Sequence, residues 1–262
     1  MLICLKPFDA AGVHVYQDGT PQNDPNGDRA VYGSNLWETS DLRAWLNSTE
    51  PAGQVIWTDG SPPIRDAVFG GYNDYAEEKG FLAEGNFTAT EIQAIKPVKQ
   101  RSLLNIVDVD AINGYGNQLH RYDQGIDSAI QNYELAYGHD VIDRLFLPDI
   151  AQIHRVWENS QILGGNYCIS HPTLKAVDNS DYSNSNLAPD KSWHYWLRTP
   201  SSHPLRTSSV RYVFFGKSIN GNSAFSGCVY GMGVRPAFYL DVDNAELAVG
   251  CGSLTDPYKL KG

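Results

Sequence analysis

The sequence predicts an α+β fold, with helices early in the chain and an irregular antiparallel sheet late in it. Three observations carry this. Capped amphipathic segments stand before residue 100, and another follows Pro148. From Tyr195 onward the pattern becomes short β-runs limited by Pro and Gly. The two kinds of segment do not alternate, which separates the class from alternating α/β folds.

The opening "MLICLKPFDAAG" lacks the basic start and the length of a signal peptide. It reads as a strand entered without a leader, and Met1 as an artificial start or the edge of a larger chain. Residues 13–30 are dense in Gly, Pro, Asn and Asp and read as loop. In "GSNLWETSDLRAWLNS", Leu42, Trp45 and Leu46 repeat at helical spacing, and Thr39 or Ser40 can cap the start. In "NFTATEIQAIKPVK", Thr88 and Glu91 have capping-box spacing and Phe87 and Ile92 staple spacing, with Pro97 ending the helix. After "DRLFL", Pro148 fits a first helical turn, and Ile150, Ile153 and Trp157 continue one face.

Residues 105–143 mix periodicities and are rich in Gly and Tyr, so they predict irregular structure with short elements. Residues 178–190 read as polar loop. "YWLRTP" is a strand stopped by Pro200, "SSVRYVFF" and "GKSINGNSAF" form a hairpin through Gly216, and "VRPAFYLDV" is a last strand. No internal repeat and no long linker divides the chain, so residues 1–262 are read as one domain.

Composition narrows the function. Charged residues make up 19% of the chain and no run of 18 apolar residues occurs, which predicts a soluble globular protein without a membrane span. The net charge of -10 argues against nucleic acid and anionic membrane as partners, since both need a basic face. Cys4, Cys168, Cys228 and Cys251 form no C-x-x-C pair and read as buried small hydrophobes. Asp108, Asp110, Asn113 and Gly114 are out of EF-hand register, and Asp178 and Asp181 suit Asx-turns, so no metal is predicted. The seven His residues show no zinc spacing, and no nucleophile elbow or phosphate-binding glycine loop follows a predicted strand. No catalytic residue and no cofactor is predicted.

The sharpest asymmetry is electrostatic. Residues 191–240 contain no Asp or Glu but carry Lys191, Arg198, Arg206, Arg211, Lys217 and Arg235, a charge of +6 in a chain whose remainder is -16. Arg198 and Arg235 sit beside Pro-limited apolar runs and are predicted to be internal, bonded to backbone carbonyls or a carboxylate. Arg206, Arg211 and Lys217 lie in less regular surroundings and are predicted to be exposed. Aromatics and small polar residues are interleaved through 201–230, in the manner of an antibody paratope, with large contact area and adaptable hydrogen bonding. An ordinary hairpin with half its aromatics in the core fits the same composition.

Five phrases, "YGSNLWETSDLRAWLNS", "GFLAEGNFTATEIQAIKPV", "DRLFLPDI", "YWLRTP" and "GVRPAFYLD", stand in the order seen in a bacterial and phage domain. That domain is similar to the C-type lectin-like, formylglycine-generating-enzyme-like fold. The resemblance covers residues 30–242. The part that normally precedes "LKPFDA" looks shortened, and residues 100–143 look like an insertion. Domains of this type include the variable proteins of diversity-generating retroelements, in which a reverse transcriptase rewrites the target gene at template adenines.

The resemblance implies a hypervariable, ligand-binding surface over 201–230, held in a fixed frame by Trp196, Arg198 and Arg235. Its candidate contact residues are Ser201, Ser202, His203, Arg206, Arg211, Tyr212, Phe214, Phe215, Ser218, Asn220, Asn222, Ser223, Phe225, Ser226 and Tyr230. The composition allows a partial check. Randomised Asn codons never yield Gln, Glu, Lys, Met or Trp. These make up 36 of the 262 residues, yet 201–230 holds one, Lys217. The implied partner is a cell-surface protein or glycan, and the implied setting a virion or cell surface. No E-P-N, Q-P-D or W-N-D stands in the chain, so the resemblance does not extend to calcium-dependent sugar binding. Two alternatives stay open. One is an enzyme on the formylglycine-generating fold, for which only Cys228, and not a cysteine pair, stands in the comparable region. The other is a structural domain of a larger surface protein.

Overall fold

The structure, a computed structural model, describes residues 2–3, 35–58, 74–104, 108, 138–163, 167–182, 184–200, 210–215, 218–219, 232–241, 247–249 and 259–260. In chain order the early elements are β1 (Leu2–Ile3), a 3-10 turn (Trp37–Thr39), α1 (Asp41–Leu46), α2 (Ala89–Ala94), β2 (Ile95–Lys96), β3 (Val98–Leu103) and β4 (Gly138–Asp143). There follow α3 (Ile150–Leu163), α4 (Leu174–Asp178), β5 (Tyr195–Pro200), β6 (Val210–Phe214), β7 (Ser218–Ile219), β8 (Met232–Gly233), β9 (Tyr239–Leu240), β10 (Leu247–Val249) and β11 (Lys259–Leu260). The mixture is α+β, as the sequence predicts.

The first helix forms where its cap and apolar spacing place it. Ser40, not Thr39, is the cap, its hydroxyl accepting from the Arg43 amide at 3.1 Å. Leu42, Trp45 and Leu46 turn into the core beside Trp37. The Trp45 indole donates to the Lys79 carbonyl at 3.0 Å, and the Gly80 amide donates to Glu50 at 2.9 Å. A Cβ on Gly80 would lie 2.2 Å from the Ser48 carbonyl oxygen, so only glycine fits this close approach.

The second helix carries the predicted capping box. The Glu91 amide donates to Thr88 Oγ1 at 3.2 Å, and the Thr88 amide donates to Glu91 Oε2 at 2.7 Å. The Thr88 amide and hydroxyl hold the Glu91 carboxyl below its ordinary range. The helix stops at Ala94 rather than running to Pro97, because Ile95 and Lys96 leave it to pair with Leu240 and Tyr239. Pro148 likewise lies outside α3. The cap is Asp149, whose carboxylate accepts from the Gln152 amide at 2.7 Å while Gln152 Oε1 accepts from the Asp149 amide at 2.9 Å.

The main sheet has strand order β1-β8-β5-β6-β7. Its pairs are antiparallel except β5 with β8, which meet in parallel at Tyr195 and Gly233. The two faces of β5 and β6 enter different cores. Tyr195, Leu197 and Val213 pack with Ile153 and Cys168, while Trp196 and Val210 join Trp37, Leu46 and Phe146.

One expectation is corrected. "VRPAFYLDV" is not a single strand. It runs as a strap, pairing first through Met232 and Gly233 with β1, then at Ala237 with Phe146, then through β9 with β2. The Ala237–Phe146 bridge has both its hydrogen bonds, at 2.8 and 3.0 Å. Pro236 has no amide hydrogen to continue a ladder and marks the change of partner. Residues 105–143, predicted irregular with short elements, end in one of them, β4, which pairs with β3. β3 and β4 pair residue for residue from Val98↔Asp143 to Leu103↔Gly138. Past the strap, β10 and β11 form a small ladder of their own.

One side chain ties these pieces together. Arg198, 1% exposed on β5, donates to Leu147 O at 2.6 Å, Gln152 Oε1 at 2.8 Å, Arg101 O at 3.2 Å and Gln100 Oε1 at 3.3 Å. It also pairs with the buried Asp149 carboxylate, and its guanidinium lies 5.3 Å from the Phe146 ring centroid. The predicted internal role of Arg198 is therefore met with both kinds of partner. Replacing Arg198 with Met leaves Asp149 buried without its cation and is expected to cost about 3–5 kcal/mol in denaturant unfolding. Arg198→Lys is expected to recover only part of this, because an ammonium cannot serve the same spread of acceptors.

Candidate functional site

The candidate surface starts at the β6–β7 hairpin. The register pairs Val213 with Ile219 and Phe214 with Ser218, so β6 and β7 form the hairpin that the sequence predicts; Gly216 and Lys217 lie outside the described residues. Strand alternation sorts the side chains. Arg211 and Val213 turn inward, at 1% and 0% exposure, while Tyr212 is half-buried against the main core. Phe214, two residues further on that same face, passes the edge of the core and is 42% exposed.

Behind this edge lies an aromatic cluster. The His194 ring is nearly parallel to Phe214, 6.5 Å away, and packs edge-on against Phe215 at 5.2 Å. Trp193 meets His194 at 4.3 Å and Phe215 at 5.8 Å. Phe215 holds a φ of 49°, the left-handed region that disfavours a residue with a Cβ. The contacts with His194, Trp193 and, at 4.5 Å, Phe214 hold it there.

His194 is 7% exposed, and neither ring nitrogen has a hydrogen-bond partner among the described residues. It lines a cavity of about 70 Å³ shared with Ser170, His171, Thr173 and Gly233. Burial pushes its pKa down to about 4, so the imidazole is neutral at physiological pH. Burial also raises the Cys168 thiol above its ordinary value and pushes the Tyr195 hydroxyl up to about 12. Both groups stay protonated near neutrality, which suits packing and hydrogen bonding better than nucleophilic or base chemistry.

The predicted residues divide as follows. Trp196 and Arg198 are buried frame residues. Arg235 is half-buried, donating to Tyr195 Oη at 3.1 Å, Tyr167 O at 3.0 Å and Cys168 O at 3.5 Å, with its guanidinium 5.2 Å from the Tyr195 ring centroid. Tyr212, Phe214 and Phe215 gather at one hairpin. Ser218 pairs with Phe214 in the ladder. Arg211 is a correction. Predicted exposed, it is buried, because alternation puts it on the inward face with Val213. Ser201, Ser202, His203, Arg206, Asn220, Asn222, Ser223, Phe225, Ser226 and Tyr230 lie outside the described residues.

Trp193 and His194 are the supporting residues that the sequence reading passes over. Their signal is the aromatic run "WHYW" ahead of "LRTP". Cys168 is a free, buried thiol, as predicted, while Cys4, Cys228 and Cys251 lie outside the described residues. Among the described residues no three His, Cys, Asp or Glu side chains gather into a metal-binding group. Asp108 is buried, Asp178 and Asp181 are exposed, and Asp110, Asn113 and Gly114 lie outside the described residues. Among the described residues no helix is long and apolar enough to cross a membrane.

The family model described as "Domain of unknown function (DUF6273)" matches residues 13–242. The chain belongs to this family. The match takes in α1 through the strap, and with them the hairpin, Arg198 and Arg235. No curated protein and no solved structure gives a match to the chain.

Two outcomes follow from this geometry. Phe215→Ala removes the ring contacts but keeps the unfavourable φ, whereas Phe215→Gly removes both. In denaturant melts the glycine variant is expected to be the more stable of the two by about 1 kcal/mol, the reverse of the usual order. His194 sets a pH dependence. Its ordinary value is 6.5 and its folded value about 4, so the unfolded chain binds the extra proton between them. The contribution of neutral His194 is complete above pH 6.5, declines as the pH falls, and is lost by about pH 4, amounting to about 3 kcal/mol. Stability measured from pH 7.5 to 4 is expected to fall less steeply in His194→Phe than in the parent.

Proposed function

We propose that this chain is a ligand-binding module rather than an enzyme, built on a C-type lectin-like fold. Its binding face is the β6–β7 hairpin edge together with the interval 201–230. The observation that carries this reading is the division of β6. Arg211 and Val213 are fully buried on one face, while on the other face burial fades along the strand, from buried Val210 through half-buried Tyr212 to Phe214, 42% exposed beside an aromatic cluster. A surface that must accept many side chains needs a backbone held by other residues. Here Trp196, Arg198 and the strap supply that hold from behind.

The partner in this reading is a cell-surface protein or glycan, and the setting a virion or cell surface. Exposed aromatics bury apolar area at low entropic cost, and serines and asparagines add adaptable hydrogen bonds. The net charge of -10 weighs against nucleic acid. Retroelement diversification is supported by the single Lys among the residue types that randomised Asn codons cannot produce in 201–230. The burial of Arg211 narrows the variable set to residues whose side chains leave the frame.

The test has two arms. Phe214→Ser is expected to change stability by less than about 1 kcal/mol, whereas Val213→Ser, on the inward face, is expected to cost more than about 2 kcal/mol. Equal costs at the two positions would sink the divided-face argument. Sequencing the DNA that flanks the gene is expected to find a near-identical, adenine-rich repeat of the segment for 201–230 beside a reverse-transcriptase gene. If that repeat is missing, diversification is withdrawn and an undiversified binding module remains.

A further inference from the structure

A groove of about 520 Å³ runs between α3 and the strap, away from the hairpin cluster. That volume lies within the range of about 300–1,000 Å³ typical of small-molecule sites. Its floor includes the buried ring of Phe146. Tyr239 lies over Phe146 at 5.8 Å with the rings inclined by 29°, yet it is 48% exposed. Phe238 and Tyr167 add rings that are 44% and 45% exposed. The walls therefore offer aromatic surface to a ligand with a hydrocarbon body.

The charged side chains described in the groove are of one sign. Arg155, on α3, is exposed and has no ion-pair or hydrogen-bond partner among the described residues. Arg235, on the strap, spends three N–H donors on neutral oxygens and has no carboxylate partner among the described residues. A guanidinium has five such donors, so two remain. No Asp or Glu is among the described residues that line the groove. Glu158, on the same helix, faces His154 at 3.6 Å. In a chain of net charge -10, two guanidinium groups at one aromatic groove, with no carboxylate among its described residues, mark a local positive site.

We infer that this groove binds organic carboxylates, with the anionic group held by Arg155 and Arg235 and an apolar body laid on Tyr239 and Phe238. The planar guanidinium fork matches a carboxylate in geometry as well as charge. The aromatic walls favour a carboxylate with a hydrocarbon body over a bare inorganic anion. The inference is independent of the hairpin surface and of its diversification.

The experiment is an NMR titration of the full chain with 3-phenylpropionate, 3-phenylpropanamide and inorganic phosphate. The carboxylate is expected to bind with a Kd of about 1 mM, in keeping with the affinity available to a ligand of this size. The neutral amide is expected to bind at least about tenfold more weakly, and Arg155→Gln to weaken the carboxylate by about tenfold with an unchanged melting temperature. Phe214→Ser is expected to bind it normally. Equal binding of acid and amide would remove the charge argument, and equal competition by phosphate the role of the aromatic walls. An Arg155→Gln variant that binds like the parent, or no saturation by the acid at about 20 mM, would overturn the site itself.

Discussion

Arg198 sits where β5, β3 and the first turn of α3 meet, and the acceptors around it come from all three. Gln100 and Arg101 belong to β3, Leu147 and Asp149 to the segment entering α3, and Gln152 to the helix itself. Gln152 also completes the helix cap with Asp149, so the guanidinium and the cap share both side chains. The backbone repeats the connection: the Arg198 amide donates to Pro148 O at 3.1 Å, and the Ile150 amide donates to Thr199 Oγ1 at 3.0 Å. Burying an arginine is costly unless its charge and its N–H groups are met. That requirement fixes the spacing of a strand, a helix start and a ladder that are far apart in sequence.

The same requirement explains what sequence reading missed. β3 and β4 form a six-residue ladder, but the buried face of "VKQRSL" carries Gln100 and Ser102, and that of "GHDVID" carries Asp143. Hydrophobic periodicity is blind to a strand whose inward residues are polar because they serve buried partners. Gln100 serves Arg198, and Asp143 accepts from Trp37 Nε1 at 3.0 Å and Arg43 Nε at 2.6 Å. The early helices were legible because caps and apolar spacing act locally, within four or five residues. The end of α2 was not, because β2 is made by pairing with a strap more than 140 residues away.

The candidate surface shows the same divide. The β6–β7 hairpin was legible from its glycine and flanking β-runs, and Phe214 lies exposed where composition alone could only offer even alternatives. Arg211 was not legible, because a charged side chain at a buried strand position carries no hydrophobic signal. Val210 and Val213, of opposite parity, are both buried, so both faces at the start of β6 reach a core. Trp193 and His194 escaped notice because an aromatic run before a strand reads as core. The structure puts His194 in a cluster where its ring packs well and its nitrogens go without hydrogen bonds among the described residues.

Arg198 and Arg235, alike in sequence context, end with different charge balances. Arg198 lies beside Asp149 and is closed off as a neutral unit in the interior. Arg235 finds only carbonyls, a hydroxyl and the Tyr195 ring among the described residues. Neutral acceptors satisfy N–H groups but leave the charge in place, and full burial would then demand desolvation without compensation. Arg235 accordingly stays half-buried at the lip of the groove, with donors to spare. The strap thus holds the sheet with one side of a guanidinium and leaves the other side to whatever anion the groove admits.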